Sequence, residues 1–126
     1  MAIKRVSKWH LRRLFNSSGY WQQTQTGNLT AAVRKSSPAK PEANQPSGTK
    51  SQIISYLDAG NSEVARVHQY LLADGITLGG HGYPDPLELV IDGTKYAGWI
   101  PPKHWIGQKA LVLLQWVIGI HYKIFG

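Results

Sequence analysis

A chain of 126 residues has room for one domain and can bury a core without help from cross-links. Cysteine is absent, which excludes thiol nucleophiles, thiolate zinc sites and a disulfide framework. The formal charge of +7 is unevenly placed: residues 1–50 carry nine lysines and arginines against Glu42 alone, a net of +8, and the remainder is close to neutral at −1.

That division suits attraction to nucleic-acid phosphate or to an anionic membrane surface, because clustered cations release counterions when they meet phosphates. A solvated, solubilising tail is the plainer alternative. Residues 1–20 lack the continuous apolar run of a secretory signal, which favours a cytoplasmic location. The Arg-rich start, with no acid before Glu42, also loosely resembles an organelle transit peptide.

In chain order, residues 3–15 place Ile3, Val6, Leu14 and, less cleanly, Trp9 on one helical side and Lys4, Lys8 and Arg12 on another, predicting a short amphipathic helix. Breakers at Asn16 to Gly19 end it. The Thr- and Gln-rich stretch from Tyr20 to Val33 is too polar to bury a helical face, so its order is expected to depend on a partner. Arg34 to Ser51 holds three prolines and no large apolar side chain, the composition of a linker.

From Gln52 the chain becomes β-branched and aromatic, and two strand-like runs separated by Ala59-Gly60-Asn61 predict an antiparallel hairpin. Asp74-Gly75 is a turn signal, and Gly79, Gly80 and Gly82 predict a loop. At Asp85-Pro86-Leu87-Glu88 the capping pattern predicts a helix through Leu87–Ile91, with Asp85 as cap, Pro86 first and Glu88 reaching back. Asp92-Gly93 then turns the chain into a strand over residues 94–100, stopped by Pro101-Pro102.

The apolar run Ala110–Ile120 is interrupted by Gln115 and falls short of the roughly 20 residues a membrane-spanning helix needs. Alternation from Leu114 onward predicts a helix followed by a strand in residues 103–126, with helix throughout as the competitor. The expected fold is therefore α+β: a small antiparallel sheet with one or two short helices. The expected organisation is a basic, largely extended N-terminal arm over residues 1–33, a flexible linker over 34–50 and the folded domain over 51–126.

The pattern His68-Gln69-Tyr70-Leu71, Asp74-Gly75, Gly82, Pro84-Asp85-Pro86, Asp92-Gly93 and Tyr96 resembles a group of small bacterial and mobile-element proteins with no established activity. The resemblance covers about a quarter of the chain and implies a domain without a mechanism. His81 and Leu87 depart from the small residue and the lysine expected at those positions.

Basic residues interleaved with aromatics, namely Lys4, Arg5, Lys8, Trp9, Arg12, Arg13, Tyr20, Trp21, Arg34 and Lys35, are the expected nucleic-acid contacts, joining phosphate binding to base stacking. The same pattern would also let Trp9 and Phe15 lie at a lipid interface with the cations at the headgroups. Trp99, Trp105 and Trp116 are candidate anchors for a protein partner. His68, His81 and Asp85 are the candidate metal ligands, although their spacing matches no compact zinc motif, and a turn and a helix cap already explain Asp74 and Asp85.

No catalytic residue and no cofactor is assigned: Ser62 or Tyr70 beside His68 lacks a nucleophile elbow, and the glycine run lacks the Lys-Ser/Thr of a phosphate loop. The leading expectation is a non-enzymatic protein whose basic arm contacts nucleic-acid phosphates within a larger complex. The alternatives are a protein-interaction or membrane-adjacent subunit docking through its tryptophans, and a metal-dependent nuclease or hydrolase.

Overall fold

The computed structural model describes residues 2–99. Trp105, Trp116 and the helix and strand expected over residues 103–126 lie outside the described residues.

The chain begins with a strand, β1 (Ile3–Val6), followed by helix α1 (Lys8–Ser18) and a shorter helix α2 (Tyr20–Thr26). Strand β2 (Thr30–Pro38) and a 3₁₀ turn at Pro41–Ala43 lead into β3 (Lys50–Leu57), β4 (Glu63–Leu71), β5 (Asp85–Ile91) and β6 (Thr94–Gly98). All six strands join one sheet in the order β1-β6-β5-β4-β3-β2. The fold is thus α+β, and the sheet is mixed: β1 runs parallel to β6 while every other neighbour is antiparallel.

In place of an extended arm and linker, residues 3–38 supply both edges of the sheet. The chain starts at one edge, crosses by way of the two helices and enters the opposite edge as β2, then meanders back to β6. Ile3–Val6 reads as the first helical turn only until β6 is present. Lys95 then donates its amide to the Ala2 carbonyl (3.2 Å) and Trp99 donates to that of Val6 (2.8 Å).

Ser7 starts α1, its hydroxyl accepting the His10 amide at 3.1 Å, and Gly19 at φ 70° divides α1 from α2. Leu11 and Phe15 form the buried stripe, packed on Ile54, Tyr56, Ala65, Val67 and Leu89 of the sheet. The Phe15 and Tyr56 ring centroids are 6.2 Å apart. The segment expected to await a partner is ordered within the chain, because Trp21 packs against this core and the Tyr20 hydroxyl donates to the Val90 carbonyl at 2.6 Å.

The linker composition of residues 34–50 also has a physical resolution. β2 is an exposed edge strand, held by its antiparallel ladder with β3 up to the Pro38–Lys50 pair rather than by burying side chains.

The hairpin of β3 and β4 and the Asp92-Gly93 turn into β6 stand where expected. The helix expected at Leu87–Ile91 does not: this segment is β5, paired on both sides. Interstrand partners for its backbone outweigh a local capping preference. Pro86, which has no amide hydrogen to give, sits where the β4–β5 register shifts, so the missing donor falls at an irregularity of the ladder.

Candidate functional site

The site is built where β5 begins. Asp85 lies opposite His68 in the β4–β5 register, and α1 crosses above with Lys8 and Arg12 one turn apart. Arg12 donates from Nε to Asp85 Oδ1 at 2.9 Å and from Nη2 to Oδ2 at 3.4 Å. Lys8 Nζ lies 3.2 Å from Oδ2 and donates to the Pro86 carbonyl at 2.7 Å. Asp85 therefore anchors helix to sheet and is not a helix cap.

Lys8 is only 4% exposed. Burial lowers its pKa to about 8, an effect that the nearby Asp85 carboxylate partly offsets. Arg12 is half-buried and lies over the Trp9 ring, with its guanidinium carbon 5.3 Å from the centroid.

His68 is restrained from two sides. Its Nε2 is 2.7 Å from the Ser51 hydroxyl, and its ring meets Tyr70 edge-on at 4.7 Å. Burial pushes its pKa below the ordinary histidine value; Asp85 opposes that shift and Lys8 adds to it. The neutral imidazole is thus the favoured form at neutral pH.

The loop facing His68 is set by backbone bonds. Gly79 donates its amide to Tyr70, Gly80 to the Gln45 side chain and Gly82 to Gly79. A Cβ at Gly79 would press on the ends of the Gln45 and Leu72 side chains, and Gly82 holds φ 83°, which calls for glycine. The loop delivers His81 and Tyr83, stacked at 5.7 Å with 26° between their planes, and Tyr83 approaches Trp21 at 6.4 Å.

Between these elements runs a half-open cleft of about 130 Å³, lined by Arg12, His68, Tyr70, His81, Tyr83 and Asp85 together with Gln69 and Gly79. A second cleft of about 320 Å³ adjoins it, with Phe15, Asn16, Trp21 and Gln22 on its walls, and Tyr83 is common to both.

The three candidate metal ligands, His68, His81 and Asp85, therefore do line one cleft. Among the described residues, however, no three His, Asp or Glu side chains are grouped closely enough to hold a metal ion. Asp85 spends its oxygens on Lys8 and Arg12.

Of the expected nucleic-acid contacts, Lys4, Arg5, Trp9, Arg13, Arg34 and Lys35 are exposed. Arg5 also donates to the Gly98 carbonyl at 3.2 Å, and Arg34 to the Ser55 hydroxyl at 3.0 Å. Lys8 is the departure, withdrawn from the surface by its bonds to Pro86 and Asp85, while Tyr20 and Trp21 are half-buried against the core. Trp99 follows β6 and is half-buried.

Sequence reasoning passed over Ser51, Gln69 and Tyr83. Tyr83 carried a signal, as an aromatic two residues from His81 in a glycine loop; Ser51 carried none, because only strand pairing brings it to His68. Among the described residues no helix is long and apolar enough to cross a membrane. No family model, curated protein or solved structure matches this chain.

Proposed function

We propose that this protein binds single-stranded nucleic acid along the track formed by the two adjoining clefts. The observation that carries the reading is Tyr83: 45% exposed, it is the shared wall of both clefts, with His81 stacked on one side of it and Trp21 nearby. Open aromatic faces of this kind accept unpaired bases of any sequence.

The cationic side of α1 runs beside this track. Trp9, Arg12, Arg13 and Asn16 follow one another at helical spacing; Arg12 lines the first cleft and Asn16 the second. Lys4 and Arg5 on the edge strand β1 add exposed positive charge. Phosphates are thus met by arginine and lysine and bases by tyrosine, histidine and tryptophan, the usual division of labour in single-strand recognition.

Deleting residues 1–50 would remove β1, both helices and β2, so point substitutions are the proper test. Fluorescence anisotropy with labelled single-stranded oligonucleotides should show binding that weakens steeply as salt rises from about 50 to 200 mM. Tyr83→Ala should lower affinity roughly tenfold, as the loss of one stacked base does. Arg13→Ala should weaken binding and flatten the salt slope by about one unit. Affinity indifferent to salt, or unchanged in both variants, would count decisively against the proposal.

A further inference from the structure

We infer that the smaller cleft cleaves the RNA strand bound beside it, with His68 and His81 as acid–base pair, Arg12 as phosphate ligand and the ribose 2′-hydroxyl as nucleophile. This rests on the single-strand binding reading and deepens it.

The argument starts from what the cleft contains and what it lacks. Two imidazoles and a guanidinium paired with the Asp85 carboxylate line a half-open space of about 130 Å³. Among the described residues no serine or threonine lines it, and its side-chain hydroxyls are the phenols of Tyr70 and Tyr83. Ser51 is hydrogen-bonded to His68 but is not among the lining residues, so its hydroxyl orients the imidazole and does not attack a bound group. A site equipped for proton transfer and charge neutralisation, without a serine or threonine nucleophile, fits a substrate that brings its own. RNA does so, because every internucleotide phosphorus has a hydroxyl on the neighbouring ribose carbon.

His68 is suited to take the first proton, since burial favours its neutral form and Ser51 and Tyr70 hold the ring in place. His81, exposed and stacked on Tyr83, stands at the rim where a leaving group departs to solvent. Arg12, secured by Asp85 and Trp9, presents positive charge in the cleft.

In the step, the 2′-hydroxyl gives its proton to His68 as O2′ bonds to phosphorus. The phosphorus–O5′ bond breaks, and O5′ leaves with its electron pair and receives a proton from His81. The products are a 2′,3′-cyclic phosphate and a free 5′-hydroxyl. Solvent exchange returns the proton from His68 and resupplies His81, so nothing is oxidised or consumed.

The full chain is incubated in chelator with a labelled single-stranded RNA, its all-deoxy counterpart, and an RNA with one 2′-deoxy residue at the mapped cut. The expected result is cleavage of the RNA to cyclic-phosphate ends by mass spectrometry, with the all-deoxy strand bound but intact and the singly substituted RNA resistant at that site. His68→Ala and His81→Ala should each slow cleavage at saturating protein about 100-fold. His81 is exposed, so its variant remains informative even where His68→Ala fails to fold. Ser51→Ala should lower kcat with KM unchanged, and Ser51→Thr should restore it.

Bound but intact RNA overturns the inference and leaves the binding reading standing. Failure to bind either strand overturns both. Cleavage that persists unchanged in His81→Ala, or that chelator abolishes, also overturns the assignment.

Discussion

Asp74 and Asp85 stand eleven positions apart on either side of the glycine loop, and they are used in opposite ways. Asp74 is fully exposed and bonds within three residues of itself: Oδ1 accepts the amides of Ile76 and Thr77, each at 2.8 Å, and Oδ2 accepts the Thr77 hydroxyl at 2.5 Å. The Thr77 hydroxyl and amide, followed by the Ile76 amide, hold its pKa below the ordinary aspartate value. Asp85 is half-buried and bonded to Lys8 and Arg12, more than 70 residues earlier in the chain. One carboxylate shapes a turn; the other ties the first helix to the centre of the sheet and forms a wall of the cleft.

The largest effect expected from this contrast is that of Asp85→Ala, which leaves the buried Lys8 without its counter-charge. Urea unfolding should show a loss of about 3 kcal/mol. In a Lys8→Met background the same substitution should cost at least about 1 kcal/mol less, because the stranded charge is gone. Asp85→Ala with the stability of a surface substitution would erase the distinction between the two aspartates.

The pH dependence sharpens it. At pH 7 Lys8 is protonated in both folded and unfolded chains, and the folded state bears the full cost of burying the charge. Between pH 8 and 10 the folded form releases this proton first, so stability should rise, by on the order of 2 kcal/mol. Above about pH 10 Tyr56 and Tyr20, whose pKa values are raised chiefly by burial, ionise first in the unfolded chain, and stability should fall. On the acid side the lowered pKa of His68 means that the unfolded chain protonates first, so stability should also decline below about pH 6.5. Thermal unfolding across this range checks all three limbs, and Lys8→Met should remove the rise between pH 8 and 10.

The smallest effect belongs to Asp74→Ala. Hydrogen exchange of the Ile76 and Thr77 amides should quicken, while the global unfolding midpoint stays within the scatter of surface substitutions. A large global loss would show that this turn, like Asp85, supports the whole sheet.

The same contrast separates what was legible in the sequence from what was not. β-Branched and aromatic composition and turn residues predicted the β3–β4 hairpin, the Asp74-Gly75 turn and the strand after Asp92-Gly93, each closed by neighbours in the chain. The capping pattern at Asp85 was equally clear but misleading, since β4, across the glycine loop, supplies its segment with partners that no local pattern displays. Ile3–Val6 and the polar residues 30–38 become strands for the same reason. Of the cleft, His68, His81 and Asp85 could be grouped from the sequence as candidate ligands; that Arg12 of the first helix joins them could not.

By itself, then, the sequence determined those elements whose hydrogen bonds close within a few residues, along with the concentration of positive charge in the first 50 positions. Tertiary structure alone decided the mixed sheet, the burial of Lys8, its pairing with Asp85 and the meeting of two histidines around Tyr83. The β1–β6 pairing and the Lys8–Asp85 ion pair join residues more than 70 positions apart, and a distant strand ladder or buried ion pair can outweigh local preferences worth about 1 kcal/mol each.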